Sequence, residues 1–277
     1  MAAVNITQLL ATYITALHIL HYHGILDGYG HMSLRNPENA STFYMFHTGA
    51  PALVSSLDDI ALYQVSDAEP AEPNGPTSFI ERFIHSEVLK HYPGINVVLH
   101  GHPDILVSYS IIEAPLRATI HMAGYLGQRT PVFDISRHYL PNDTQDLLVD
   151  NERLGAALAA EFSDGDTHEA QDLPDHELVL MQSHGFTSCG VELEKVVYQA
   201  IYAKTNAAVE SEALRIQHAY TGSAAGEERG GDRGIVYMNS RQARDTWATI
   251  GRDVSRPWGL WKRQVQVDPL YVNDLDS

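Results

Sequence analysis

The stretch that decides the fold is Glu81–Asp104, ERFIHSEVLKHYPGINVVLHGHPD. Its run Val97-Val98-Leu99 is typical of a strand that is buried on both faces. The strand leads into His100-Gly101-His102 and ends at Pro103, because proline has no N–H to donate to a sheet. Residues two apart on a strand point to the same side. We therefore expect both imidazoles to leave the strand end together, at the spacing of two ligands of one metal ion.

Two further features favour a metal site over an ordinary pair of surface histidines. Glu81 lies 19 residues before His100 (100 − 81), at the start of a helix-like segment at 79–91 that leads back to the strand. A second apolar strand, beginning at Leu178, ends in His184 followed by glycine. Three neutral imidazoles and a carboxylate suit Zn²⁺ or another divalent transition metal. The predicted metal ligands are His100, His102 and His184.

This pattern of a Glu, a His-x-His pair 19 residues later and a strand ending in His-Gly resembles the class II aldolase/adducin family. The resemblance covers residues 14–262 and includes Gly30-His31-Met32-Ser33-Leu34-Arg35, which is similar to the family's early turn. Segments 78–85, 121–127 and 256–263 look most like one branch. That branch contains decarboxylases of 2-hydroxy-3-carboxymuconic-semialdehyde type acids.

The resemblance implies a three-layer α/β/α fold with a mainly antiparallel central sheet. It implies a single domain over residues 1–262 followed by a C-terminal tail at 263–277. It also implies a homotetramer with active sites near subunit interfaces.

The resemblance further implies two catalytic residues, Glu81 and His121. His121 lies near a position where sugar-phosphate aldolases of the family use a Tyr as proton donor. Tyr125 and Tyr139 are alternatives for this role, and the sequence does not rank them.

A glycine-rich turn at 24–30 precedes the predicted substrate site. Glycine gives the backbone freedom to point its amides at a ligand. Ser33 offers a hydroxyl, and the planar fork of Arg35 matches a carboxylate. The structural alternative for Arg35 is a salt bridge to Asp58 or Asp59. The predicted substrate-binding residues are His31, Ser33, Arg35 and Ser78. Sugar-phosphate members of the family have Asn where His31 stands, which disfavours phosphate recognition here.

Composition limits the classes of partner. The 277 residues, 44% of them hydrophobic, can bury a large core. The 35 acidic and 18 basic residues leave a net charge of −17, which disfavours nucleic acid and anionic membranes. No apolar run is long enough for a membrane span. The one cysteine, Cys189, is expected to be buried and suits the reducing cytoplasm. A small anionic substrate would need local positive charge from a metal or an arginine.

The rest of the chain is predicted from periodicity and from turn residues. Helices are expected at 4–23, 105–112, 150–162, 192–219 and 239–262. Strands are expected at 42–46, 62–65, 117–120 and 132–135. Thr77 or Ser78 is expected to cap the helix that carries Glu81. Residues 163–177 are expected to form a solvated loop, and 221–234 a flexible linker.

The predicted ligands favour carbon–carbon lyase chemistry. A 2-hydroxy or 2-oxo acid can chelate a divalent ion, most simply Zn²⁺, with Mn²⁺, Fe²⁺ and Co²⁺ as alternatives. The ion would act as a Lewis acid and stabilise the enolate that forms when an adjacent C–C bond breaks. Protonation of the enolate needs an acid, for which Glu81, His121 or a Tyr is available.

Three functions follow from this site. The first is a decarboxylase of an unsaturated or aromatic hydroxy or oxo acid. The second is an aldolase or dehydratase that acts on a small polyol, phosphorylated or not. Aldol cleavage passes through the same metal-stabilised enolate as decarboxylation. The third is a non-catalytic module like the adducin head, which the complete set of Glu81 and three histidines argues against.

Overall fold

The computed structural model describes residues 4–47, 49–165, 172–222 and 234–276. Within these ranges the α-helices are α1 (Ile6–Tyr22), α2 (Arg82–His91), α3 (Asp104–Ser110), α4 (Glu152–Ala160), α5 (Leu193–Gly222), α6 (Ser240–Ile250) and α7 (Ser255–Gln266). The strands are β1 (His31–Arg35), β2 (Thr42–Phe46), β3 (Ile60–Gln64), β4 (Val97–Gly101), β5 (Val132–Phe133), β6 (Leu178–Met181) and β7 (Gly185–Gly190).

The strands form one seven-stranded sheet in the order β3-β2-β1-β4-β7-β6-β5. Every pair is antiparallel except β5–β6. The register of β1 against β4 places His31 opposite His100. The mainly antiparallel sheet that we predicted is confirmed.

A hydrophobic core lies on each face of the sheet, which makes the fold three-layered. Alternate residues of β4 show this: Val97 and Leu99 join a core with α1, α3, α5 and α7. Val98 joins the opposite core, to which α2 and α4 contribute. Cys189 is also buried in this second core, where burial raises the pKa of its thiol well above the usual value. The predicted buried role of the cysteine is confirmed.

The same alternation explains why a fully buried strand, β1, contains three polar residues. Met32 and Leu34 point into the α1/α5 core. The other three side chains of the strand point to the α2 side, where each contacts a polar partner. These are His31, Ser33 and Arg35. Buried polar groups are tolerated when they are hydrogen-bonded. The α2 side of β1 is therefore a polar strip inside the core.

Two predicted elements differ in the structure. Residues 117–120 do not form a strand, because the amides of Thr119 and Ile120 donate to the side chain of Asn206 on α5 instead of to another strand. The single helix predicted at 239–262 is two helices, α6 and α7. They are separated by a turn in which Asp253 accepts a hydrogen bond from the amide of Ser255. Most of the linker predicted at 221–234 lies outside the described residues.

The C-terminal residues dock against α1. The side-chain amide of Asn273 donates to the carbonyl of Ala11 and to Thr15, and the amide of Asp274 donates to the carbonyl of Ser55. The division into a domain at 1–262 and a tail stays a prediction. Among the helices of the described ranges, none combines the length and apolar character that a membrane crossing requires.

Arg35 holds three backbone segments together. Its guanidinium donates to the carbonyls of Ile95, Ala40 and Leu89, each at 2.7 Å, and to the carbonyl of Tyr92 at 3.3 Å. The side chain is therefore committed to the end of α2 and the loops beside it. Its predicted role in binding a substrate carboxylate is not supported by these contacts. Nor does it pair with Asp59, whose carboxylate accepts hydrogen bonds from residues 55 and 56.

We predict that Arg35→Lys lowers the free energy of unfolding by about 2–4 kcal/mol, because an ammonium group cannot reach all four carbonyls and leaves buried acceptors unpaired. Urea titration measures this loss. The control is Arg137→Lys, at an exposed arginine that pairs with Asp134, for which a change below about 0.5 kcal/mol is expected. Equal stabilities for wild type and Arg35→Lys would contradict the structural role.

Candidate metal centre

Four side chains converge beside the end of β4. One potential ligand atom from each of Glu81, His100, His102 and His184 lies within 4.8 Å of the others. The Oε2 atom of Glu81 is 3.5 Å from Nε2 of His184 and 3.6 Å from Nε2 of His100. The structure thus brings together the three predicted metal ligands and the predicted catalytic glutamate.

The hydrogen bonds of the two β4 histidines define which ring nitrogen faces the cluster. Nδ1 of His100 is 3.0 Å from the carbonyl of Phe186, and Nδ1 of His102 is 3.2 Å from the carboxylate of Asp27. Both partners are acceptors, so each Nδ1 carries a proton. In the neutral form of each ring, which is the form that binds a metal, Nε2 then presents a lone pair to the cluster.

The Nε2 atoms of His100 and His102 are close enough to bind one cation. They are 2.8 Å apart, and two bare lone pairs at that distance repel, so a cation between them is favourable. Two nitrogen ligands of a tetrahedral Zn²⁺ are about 3.3 Å apart, so a small adjustment accommodates the ion. The donor set fits a divalent metal.

A hydrogen bond from a loop further along the chain orients the Glu81 side chain toward the cluster. Its Oε1 accepts a hydrogen bond from the amide of Val149 at 3.0 Å, which leaves Oε2 facing the histidines. Glu81 occupies the position before the first residue of α2, without a capping bond from its side chain. The prediction that Thr77 or Ser78 caps this helix is therefore wrong. Ser78 instead donates to the carbonyl of Phe46.

His184 is held by the tight turn between β6 and β7. Its amide donates to the carbonyl of Met181, and the preceding Ser183 has a positive φ of 58° and donates its amide to Ser110. The Nδ1 atom of His184 is buried and has no hydrogen-bond partner within the described residues. This histidine is thus positioned by its backbone, and its ring contacts Glu81 through Nε2.

A chain of buried polar side chains extends from the cluster into the protein. Nε2 of His31 is 4.0 Å from Oε2 of Glu81, and its Nδ1 is 2.8 Å from Nε2 of His85. Nδ1 of His85 is in turn 2.7 Å from the hydroxyl of Ser33. His31 and Ser33 therefore lie near the predicted site, but Ser33 contacts it only through two imidazoles.

Burial keeps these histidines neutral. Desolvation, followed by the charges of neighbouring histidines, holds the pKa of both His31 and His100 well below the usual value. Desolvation also lowers the pKa of His85 to about 3. A neutral imidazole is the form that binds a metal. His100 therefore has its ligand lone pair available at neutral pH.

The glycine-rich turn has a different role from the one predicted. The amides of Tyr29 and Gly30 both donate to Oδ1 of Asp27 at 2.8 Å, so these two amides are not free to bind a substrate anion. Partial burial tends to raise the pKa of Asp27. The two amide hydrogen bonds and the hydrogen bond from His102 together outweigh the effect of burial, so the pKa of Asp27 lies below its usual value.

His121 is not part of the cluster. It begins a 3₁₀ helix, His121–Leu126, that packs against α5 and α6, and its side chain is exposed. Of the two alternatives, Tyr125 donates its hydroxyl to the carbonyl of Gln199, and the hydroxyl of Tyr139 accepts from the amide of Leu147. Within the described residues, no contact joins any of the three to the four clustered side chains.

Two residues at the site were missed by sequence reasoning. Neither Asp27 nor His85 is among the site residues predicted from the sequence. A signal for His85 was present, since residues 81 and 85 are one helical turn apart and share a face. The signal for Asp27 was weak, because an Asp that accepts a hydrogen bond from the amide two residues later is common in turns.

Comparisons with known proteins agree with this geometry. Residues 11–210 match the protein family described as Class II Aldolase and Adducin N-terminal domain. The chain is 40% identical over 262 residues to Decarboxylase tropJ of Talaromyces stipitatus, covering 95% of this chain and 96% of that protein. It is 28% identical over 195 residues to the 3,4-dihydroxyphthalate decarboxylase of Arthrobacter keyseri, covering 69% and 72%.

The fold is also similar to that of a solved aldolase. The L-fuculose 1-phosphate aldolase from Glaciozyma antarctica aligns with a TM-score of 0.64 at 18% identity, covering 96% of this chain and 92% of that one. At this identity the likeness supports the fold alone. The predicted three-layer α/β fold is confirmed.

We predict that the wild-type protein binds about one divalent ion per chain and that His100→Ala combined with His102→Ala removes it, because one imidazole and one carboxylate do not hold a transition metal tightly. Elemental analysis after dialysis against zinc measures the occupancy, and circular dichroism checks the fold. The control pair is His176→Ala with His218→Ala, at two histidines that are not in the cluster. Full occupancy in the folded His100/His102 double variant would contradict the ligand assignment.

Proposed function

Because the chain belongs to the class II aldolase and adducin family, we propose that it is a divalent-metal-dependent decarboxylase of a hydroxy or oxo carboxylic acid. The family match and the decarboxylase relatives confirm the predicted type of enzyme, a lyase related to class II aldolases. The observation that carries the proposal is the convergence of three imidazoles and the Glu81 carboxylate, with one potential ligand atom of each within 4.8 Å of the others. We propose Zn²⁺ as the ion, held by His100, His102 and His184.

The substrate class is proposed from the relatives and from the turn at 24–30. The relative that covers almost the whole chain is named a decarboxylase, and the second is named for a dihydroxylated aromatic acid. Asp27 occupies the two turn amides that could otherwise bind an anion and places a carboxylate near His102. This disfavours a phosphorylated substrate. We propose an aromatic or unsaturated acid with a hydroxyl or oxo group beside its carboxylate.

The charge of the site explains how such an acid would bind. The buried histidines are neutral, Arg35 is committed to backbone carbonyls, and the net charge of the protein is −17. When bound, a divalent ion supplies the positive charge that attracts the acid and, as a Lewis acid, stabilises negative charge beside a breaking C–C bond. The histidines would position the acid only through the ion, which their nitrogen lone pairs would hold in a fixed place.

Glu81 is proposed to handle the proton. The C–C bond to the carboxylate breaks, carbon dioxide leaves, and the electron pair stays on the substrate carbon, which then takes up a proton. Oε2 of Glu81 faces the cluster while Oε1 is held by Val149. A carboxyl group fixed in this way can take the proton of the substrate hydroxyl and return one to carbon.

His121 is proposed as a second proton carrier that acts in a neighbouring subunit. It is exposed and remote from the cluster of its own chain, whereas Tyr125 and Tyr139 are engaged with backbone groups. A homotetramer with active sites at subunit interfaces, as the family resemblance implies, would let His121 reach the site of another copy. We propose this tetramer and a cytoplasmic location, the latter in keeping with one buried free cysteine.

The test is a product assay on the zinc-loaded protein. We predict that it releases carbon dioxide from ortho-hydroxylated aromatic acids and no aldehyde from a sugar 1-phosphate. Glu81→Gln, which keeps the shape and removes the charge, should reduce turnover at least about a hundredfold. Carbon dioxide is measured by a coupled assay, aldehyde by reduction with a dehydrogenase, and zinc content is determined in parallel.

Glu87→Gln is the matched control for this assay, because Glu87 is a buried glutamate on the same helix that pairs with Lys90 instead of facing the cluster. It should retain activity. Release of an aldehyde without carbon dioxide would contradict the decarboxylase in favour of aldol cleavage. Unchanged turnover in Glu81→Gln would contradict the proposed role of Glu81.

A further inference from the structure

We propose that Asp27 is a positioning residue for the metal centre, which holds the His102 ring in the orientation and tautomer that a metal requires. The proposal rests on the metal centre of the proposed function and not on the identity of the reaction. It assigns the turn after α1 a role in metal affinity in place of substrate binding.

The turn presents Asp27 to His102 in a fixed position. Oδ1 of Asp27 accepts the amides of Tyr29 and Gly30, both at 2.8 Å, and lies 3.2 Å from Nδ1 of His102. One carboxylate oxygen thus closes the turn and contacts the histidine. Any rotation of the Asp27 side chain away from His102 would also break two backbone hydrogen bonds.

Close packing fixes the turn against the strand end. A Cβ at Gly101 would lie 2.5 Å from the carbonyl oxygen of Ile25, and a Cβ at Gly30 would lie 2.7 Å from the side chain of Leu26 and 3.2 Å from the carbonyl of His100. Glycine at position 101 allows the turn and β4 to approach so closely, and glycine at position 30 adds to the close fit. The distance between Asp27 and His102 is therefore set by backbone-to-backbone packing.

The three predicted ligands differ in how their second ring nitrogen is anchored. His102 has a carboxylate partner, His100 has the carbonyl of Phe186, and His184 has none within the described residues. A carboxylate partner makes an imidazole a stronger ligand and fixes its tautomer. His102 also needs the anchor more than His100 does, since its side chain is 17% exposed against 0% and it follows the end of β4.

A purely structural role for Asp27, in closing the turn, can be separated from this one. In Asp27→Asn the side-chain oxygen can still accept the amides of Tyr29 and Gly30. The negative charge opposite Nδ1 of His102 is lost, and a neutral amide oxygen is a weaker acceptor. The substitution therefore preserves the turn and weakens the anchor.

We test this with the full-length protein by measuring zinc affinity in competition with a chromophoric chelator. Asp27→Asn should weaken zinc binding by about tenfold to a hundredfold, while the melting temperature of the metal-free protein stays that of wild type. Nitrogen-15 NMR of the histidine rings in the metal-free protein should show that His102 loses its preference for a proton on Nδ1. A turn-closing role alone would move neither the affinity nor the tautomer.

The matched control is Asp67→Asn, because Asp67 accepts the amide of Glu69 in a similar turn and is not part of the cluster. Its zinc affinity should equal that of wild type. Equal affinities, within about twofold, for wild type, Asp27→Asn and Asp27→Ala would overturn the role of Asp27 and leave the metal centre intact. Failure of the wild-type protein itself to bind zinc would contradict the metal centre and this proposal together.

Discussion

The structure depends most on the approach of two imidazole lone pairs at the end of β4. Nε2 of His100 and Nε2 of His102 lie 2.8 Å apart, and Nδ1 of each ring faces a hydrogen-bond acceptor. One cation can therefore bind both nitrogens. The proposed chemistry follows from this geometry, because a site that holds a cation also attracts a carboxylate in a protein of net charge −17.

The remaining fold supports this arrangement by holding each group from a different direction. The sheet brings β1, β4 and β7 side by side, the loop at Val149 turns Glu81 inward, and the turn at Asp27 secures His102. The polar strip of β1 lies beneath the cluster and extends from His31 to Arg35. Arg35 anchors the end of α2, and so it supports the helix that begins beside Glu81.

The parts of the site that could be predicted are those that depend on local geometry. The pairing of His100 with His102 follows from the two-residue period of a strand, and Glu81 and His184 were found from the spacing before His100 and from a second apolar strand that ends in His-Gly. The partners of Arg35 and Asp27 could not be predicted, because Leu89 and His102 are distant in sequence and are brought close by the sheet register and by glycine packing. Residues 117–120 have the composition of a strand, but the side chain of Asn206 satisfies two of their amides, which no local pattern reveals.

The central claim is that the imidazoles of His100, His102 and His184 bind one metal ion beside Glu81. X-ray absorption spectroscopy at the zinc edge of the zinc-loaded protein tests it most directly. The claim predicts three imidazole ligands, seen by their outer-shell scattering, with the remaining ligands oxygen and Zn–N distances of about 2.0–2.1 Å. A shell with fewer than two imidazoles, or with sulfur from Cys189, would contradict it.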